Sequence, residues 1–187
     1  MDPLRTALLV MDMQLGIVER IGDPALLNRI ADAAAAARTA GARVIYVKIG
    51  FRAGYPELSP RSPMFTRLTQ SGSFLEGPGS EIHPAVAPQP GEVTVTKRRV
   101  SAFAGSDLDV VLRAGAIDAL VLTGIATSGV VLSTLRQASD LDFTLTVLGD
   151  GCADTDDEVH QVLTEKVFPR QAQVLTVAEW AASLESA

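Results

Sequence analysis

ALVLTGIATSGVVLSTLR, residues 119–136, decides the fold of this chain. An apolar run, Ala119–Leu122, meets a Thr-Gly pair at 123–124 and then passes into a helical pattern over Ser128–Ser139. A short apolar strand turning over glycine into a helix is one βα unit of a parallel sheet. Moving outward, the same alternation recurs. Strands are predicted at Ala7–Met11, Val44–Ile49, Val93–Thr96, Thr144–Leu148 and Gln173–Thr176, short and mostly apolar as strands covered on both faces should be. Helices are predicted at Ala25–Thr39, Asp107–Arg113, Asp156–Val167 and Val177–Ser183, with Thr127 or Ser128 and Thr155 or Asp156 as N-caps. With right-handed crossovers these units give a three-layer α/β/α sandwich around a parallel sheet.

At 187 residues and 47% hydrophobic, the chain suffices for one well-buried domain, expected to span 1–187. A net charge of −6 argues against a nucleic-acid partner, because phosphate binding needs a basic face. No apolar run approaches the roughly 20 residues needed to cross a bilayer, so no membrane role is expected. The N-terminus lacks the basic and apolar regions of a signal peptide, which makes the cytoplasm the expected location. Cys152 is the chain's one cysteine and excludes an intrachain disulfide. His83 and His160 are far apart in sequence and lack a ligand partner at helical spacing, so neither a metal nor a cofactor is expected.

The segment Gly50–Gly91 breaks the alternation. It carries Pro56, Pro60, Pro63, Pro78, Pro84, Pro88 and Pro90 together with Phe51, Tyr55, Phe65 and Phe74. Such a segment is a binding loop or lid, or else a surface or subunit-contact loop, with a short helix near Met64–Gln70.

Ligands of open α/β sheets bind beyond the carboxyl ends of the strands. Asp12 closes the first strand there, and a carboxylate after five apolar residues needs solvent or a cation. Lys97 closes the third strand and is the natural partner, in a structural pair or a catalytic one. Gly124 permits a tight turn, and the amides near Gly129 and Val130 open a helix suited to anions or a developing oxyanion. Phe51, Tyr55, Phe65 and Phe103 are candidate walls of an apolar pocket; Arg52, Arg61 or Arg99 are candidates to hold a substrate carboxylate.

LLVMDMQ (8–14), TKRRVSAFAGSDLDVVLRAGAIDALVLTGIAT (96–127), VVLSTLRQASD (130–140) and LTVLGDGCAD (145–154) together resemble the isochorismatase-like superfamily, the cysteine hydrolases. FRAGYPELSP (51–60) and GSEIHP (79–84) are also similar. The resemblance implies a Rossmann-like sandwich with a six-stranded parallel sheet, a small-molecule substrate and assembly into homodimers or higher oligomers. It implies that Asp12 and Lys97 are catalytic and that a cis peptide at Ile125–Ala126 shapes an oxyanion hole. The family's nucleophilic cysteine falls on Val130, so the chain departs from thiol catalysis. Ser128 near that position is explained as a cap, and Cys152, after the fifth strand, is either an inert buried thiol or a relocated nucleophile. The enol-ether-cleaving branch of the family keeps the Asp and Lys, has glycine at the cysteine position, and uses the Asp as a general acid. Asp12 can act likewise if desolvation lets it hold a proton. That branch has Tyr-Ala-His where this chain has Ala126, Thr127 and Ser128, which argues against isochorismate itself as substrate. The expected function is therefore a thiol-independent hydrolase of a small carboxylated or cyclic molecule. The alternatives are a catalytically silent binding protein and an amidase using Cys152.

Overall fold

Six strands, β1 (Thr6–Met11), β2 (Arg43–Ile49), β3 (Val93–Lys97), β4 (Ala119–Ile125), β5 (Thr144–Ala153) and β6 (Gln173–Leu175), form one parallel sheet in the order β3-β2-β1-β4-β5-β6. The computed structural model describes residues 2–77 and 79–185; Pro78 of the proline-rich segment lies outside the described residues. Side chains alternate across each strand, so Ala7, Leu9 and Met11 join one core with Leu112, Leu122 and Leu135. Leu8 and Val10 join the other with Leu26, Ile30 and Trp180. Helices cover both faces, completing the three-layer α/β/α sandwich. The first two helices are α1 (Leu15–Ile21) and α2 (Pro24–Ala40). The alanine run of α2 buries Ala33, Ala34 and Ala37, small side chains that let the helix lie close on the sheet.

The remaining helices are α3 (Pro63–Ser71), α4 (Leu108–Ala114), α5 (Leu132–Asp140), α6 (Asp157–Val162) and α7 (Val177–Glu185). Two of these, α5 and α6, and also α1, differ from the sequence pattern in ways that matter for the site. The helix predicted from Ser128 starts instead as a wider turn, Thr127–Val131, broken at Gly129 (φ −98°, ψ −105°), before α5 begins. Neither Thr127 nor Ser128 is an N-cap. Ala126 holds the cap position without a side-chain bond, and the Ser128 amide is satisfied by Asp154 Oδ2 at 2.7 Å. A remote carboxylate does what a local hydroxyl was expected to do. The predicted helix Asp156–Val167 is α6 plus a wider turn, Leu163–Val167, and here Asp156 does cap, accepting from the Val159 amide. Helix α1 was not expected at all: it is seven residues long, has Gly16 in its first turn and has no side-chain cap.

The sheet reverses direction of growth between β1 and β4, which makes their carboxyl ends a topological switch point. The two strands crowd there. Gly124 pairs with Met11 at φ 131°, and a Cβ built on it falls 2.0 Å from the Met11 carbonyl oxygen. Backbone cannot yield as a side-chain tip can, and the positive φ also disfavours an L side chain. Gly124→Ala is expected to lose on the order of 3 kcal/mol or more of stability, measured by urea denaturation, whereas Gly16→Ala, where a Cβ meets nothing within 4 Å, should not.

Candidate active site at the switch point

Asp12 follows β1 directly and takes a left-handed conformation (φ 56°), which turns the chain out of the sheet. Aspartate tolerates this region better than most residues. Its amide donates to the Val47 carbonyl at 2.7 Å, holding the turn against β2. Lys97 ends β3, two strand spacings away, and only a long side chain can span the end of β2 to reach Asp12. Lys97 Nζ lies 2.9 Å from Asp12 Oδ2 and also donates to the Arg99 carbonyl at 3.1 Å. Both charges are buried, Lys97 at 1% exposure and Asp12 at 5%. Asp12 Oδ1 has no hydrogen-bond partner. Burial pushes the Asp12 carboxyl up to about 6, outweighing the opposing pull of Lys97 and of the nearby Ile49 amide.

The third component is the end of β4. The Ile125–Ala126 peptide is cis, and the chain then enters the Thr127–Val131 turn. The Gly129 and Val131 amides both donate to the Ala126 carbonyl, so the Gly129 amide named as an oxyanion donor is engaged within its own turn. Asp154, after β5, takes the Ser128 amide; burial raises its pKa, but bonds from Ser128, Thr155 and Asp156 prevail and lower it. Thr127 Oγ1 and His160 Nδ1 share a 2.8 Å hydrogen bond that ties the turn to α6. His160 was read from the sequence as isolated.

Asp12, Lys97, Ile125, Ala126, Gly129 and Val130 line one cavity of about 230 Å³, mainly apolar apart from its charged groups. Its other walls are Ile17, Arg20 and Ile21 from α1, Ile49, Met64 and Leu68 from α3, Phe74, Val100 and Thr155. The proline-rich segment thus supplies a wall, through α3 and Phe74. A second cavity of about 350 Å³ adjoins it, sharing Ile17, Arg20 and Phe74.

The four aromatics named as pocket walls and the three arginines named to hold a carboxylate lie outside this lining. Phe51 is fully buried, with Tyr55 and Phe65 against its ring at 5.8 and 6.5 Å. Phe103 packs in the core beside Phe143, with ring centroids 6.0 Å apart. Arg52 pairs with Glu57 at 2.9 Å, and Arg99 donates to the Arg98 and Glu57 carbonyls while standing over the Phe65 ring. Arg61 does not line the cavity either. These aromatics close on each other because burying a ring against a ring removes more apolar area from water than lining an open cavity.

Gln14 has a positioning role that sequence reasoning missed. It is buried; Nε2 donates to the Ile49 and Ser80 carbonyls, each at 3.0 Å, and Oε1 accepts from the Ile49 amide at 2.9 Å. This clamp joins the ends of β1 and β2 to the loop near Ser80, beside Asp12. The one sequence signal for it is an amide residue two places after the acid, at the end of an apolar strand.

A doubly wound α/β sandwich with an acid–lysine pair at its switch point is the architecture of an enzyme whose ligand sits at the strand ends. The chain belongs to the isochorismatase family, the isochorismatase domain matching residues 6–179. It is 33% identical to the isochorismatase family protein YecD of Escherichia coli O157:H7, over 93% of each chain. It is 38% identical to the ureidoacrylate amidohydrolase RutB of Variovorax paradoxus strain S110, over 78% of this chain and 67% of that one. A cysteine hydrolase from Pseudomonas syringae pv. phaseolicola 1448A superposes with a TM-score of 0.91 at 27% identity, covering 100% of this chain and 95% of that chain.

Replacing Gln14 by Leu leaves two groups of Ile49 and the Ser80 carbonyl without partners. The loss expected is on the order of 3 kcal/mol, read from denaturation midpoints.

Proposed function

We propose that the chain is a thiol-independent hydrolase of a small organic substrate, with Asp12 as the proton-transfer residue. The observation that carries this is the asymmetric aspartate of a residue that lines the cavity: Oδ2 is clasped by Lys97, while Oδ1 is buried and unpartnered. A carboxyl group lifted to about 6 holds a proton through mildly acidic pH and releases it readily near neutrality, as a general acid must. For a vinyl ether, protonated Asp12 delivers its proton to the terminal vinyl carbon while Lys97 stabilises the aspartate left behind. Water adds to the resulting oxocarbenium carbon and returns a proton to Asp12, and the hemiketal so formed breaks its C–O bond to release an alcohol and a carbonyl compound. The apolar wall keeps bulk water off the pair, so both charges act in a low dielectric.

Thiol independence has its own support. Val130, at the position of the family's nucleophile, is buried and presents an aliphatic side chain to the cavity. Cys152 is buried away from the cavity lining, near the Leu122 carbonyl, and burial pushes its thiol up to about 12. Such a thiol is neither ionised nor accessible near neutral pH. Amide hydrolysis, the activity named for RutB, is the second bond class to screen. With Cys152 so placed, it too would run on Asp12 and Lys97. We place the chain in the cytoplasm as a homo-oligomer acting on a small molecule. Among the described residues no helix is long and apolar enough to cross a membrane.

The test is a turnover screen of small vinyl ethers, esters and amides. For a substrate so found, kcat/KM should fall as pH rises through about 6, because ionising Asp12 removes the acid. Lys97→Met should move that limb to higher pH, since Lys97 holds the aspartate's pKa down. Asp12→Asn should lose on the order of 100-fold or more, while Cys152→Ser should retain most activity. Full activity in Asp12→Asn ends the proposal, and abolition of activity in a folded Cys152→Ser moves catalysis to the thiol.

Val130→Cys puts a thiol beside Lys97 at the opening of a helix, two influences that lower a cysteine pKa. Its side chain is no larger than valine. The introduced thiol should react with iodoacetamide faster than Cys152 near pH 7, by mass spectrometry. Equal inertness in a folded variant would mean that the turn does not activate a nucleophile, and would favour the silent binding protein.

A further inference from the structure

The cavity holds a second cation. Arg20, in the last turn of α1, lines it together with Lys97, and Asp12 is the one acid among its lining residues. The lining therefore carries a net positive charge in a chain whose own net charge is −6. Most other arginines near an acid are spoken for: Arg5, Arg29, Arg38, Arg52, Arg98 and Arg113 all sit in ion pairs. Arg20 has no carboxylate partner among the described residues. Its guanidinium stands 5.9 Å from the centroid of the Phe74 ring, another cavity residue.

We propose that Arg20 is the substrate's anion anchor, and that the substrate class is a small organic carboxylate with an apolar body. Arg20 is exposed whereas Asp12 and Lys97 are buried, so the guanidinium stands at the mouth and the reactive pair at the floor. Between them the wall is Ile17, Met64, Leu68, Phe74 and Val100, which offers dispersion contact and no hydrogen bonds to a hydrocarbon spine. A guanidinium resting on an aromatic face has its plane restrained, leaving its edge for bidentate contact with a carboxylate. Lys97 is occupied by Asp12 and the Arg99 carbonyl, which leaves the second cation for the ligand. This assignment takes the substrate site from the hydrolase proposal but does not need turnover.

Binding of matched acids and amides tests it: hexanoate against hexanamide and phenylacetate against phenylacetamide, by methyl-detected NMR with the Ile17 and Val100 signals as site reporters. The wild-type protein should bind each acid about fivefold or more tightly than its amide, and the preference should shrink with added salt, because the cation is solvent-exposed. Arg20→Gln should abolish the preference, weakening acid binding far more than amide binding; Arg20→Lys should keep part of it, losing the fork geometry. Equal affinities in the wild type, absence of binding by both acids at millimolar concentration, or a preference that survives Arg20→Gln each overturns the proposal. Asp12→Asn separates the two proposals: it should keep the acid preference even as turnover is lost. A chain with the preference but no hydrolysis of any kind would retain the anchor and lose the hydrolase.

Discussion

The buried pair between Asp12 and Lys97 is the constraint around which the strand ends are arranged. Two charges removed from water attract each other strongly but lose hydration of comparable size, so the pair adds little net stability. Removing one partner is a different matter, because the survivor is left charged and uncompensated, at about 3–5 kcal/mol. The geometry that keeps the partners together is correspondingly over-determined. The Asp12 amide is tied to β2, Gln14 staples the end of β2 to the chain just past Asp12, and the Arg99 carbonyl takes a second Lys97 proton. Gly124 lets β4 close on β1 so that the Thr127–Val131 turn arrives beside the pair.

That pair also links stability to pH in a direction opposite to most salt bridges. A carboxylate held below its ordinary pKa stabilises a fold as pH rises. Asp12 is held above it, at about 6 against 3.8. The unfolded chain therefore releases this proton first, between about pH 4 and pH 6. Its contribution is full below that window and lost as pH rises through it. The fold bears this penalty at neutral pH to keep an acid at the strand ends. Structure alone gives no reason to retain such an arrangement, and this favours enzyme over silent binder.

How much of this was legible in the sequence depends on how local the cause was. Strand runs such as ALLVM and ALVLTG show their burial directly, because strands covered on both faces need apolar residues at every position. Asp12 and Lys97 were legible because a charge at the end of such a run has few ways to be satisfied. The order of strands, and with it the crossing of β2 by Lys97, is a tertiary fact with no local trace. The same holds for the capping of the turn by Asp154 and for the bond between Thr127 and His160, which span 26 and 33 residues. The pocket wall failed for a related reason. Aromatic residues in a proline-rich segment suggest a binding surface, yet Phe51, Tyr55 and Phe65 satisfy one another. The wall comes instead from aliphatic residues of α1 and α3 and from Phe74. Helix α1 itself was too short and too weakly marked to be seen, and it carries Arg20.

Val130, where the family's cysteine would fall, has a physical reading. The cavity does not present an empty slot there; valine fills it and continues into the core through Val131 and Leu135. A hydrocarbon at this position adds no hydrogen-bond donor or acceptor to the cavity, and an apolar surround favours the neutral form of a buried carboxyl such as Asp12. On the proposed function, the aliphatic side chain at 130 and the proton on Asp12 belong together. Putting a polar or ionised group back at 130 would bring hydrogen bonds and water toward Asp12 and lower its pKa, weakening it as a proton donor while restoring a nucleophile. On the proposed function the two chemistries compete for one floor, because a nucleophile at position 130 needs the polar surroundings that an acid at Asp12 needs to be without.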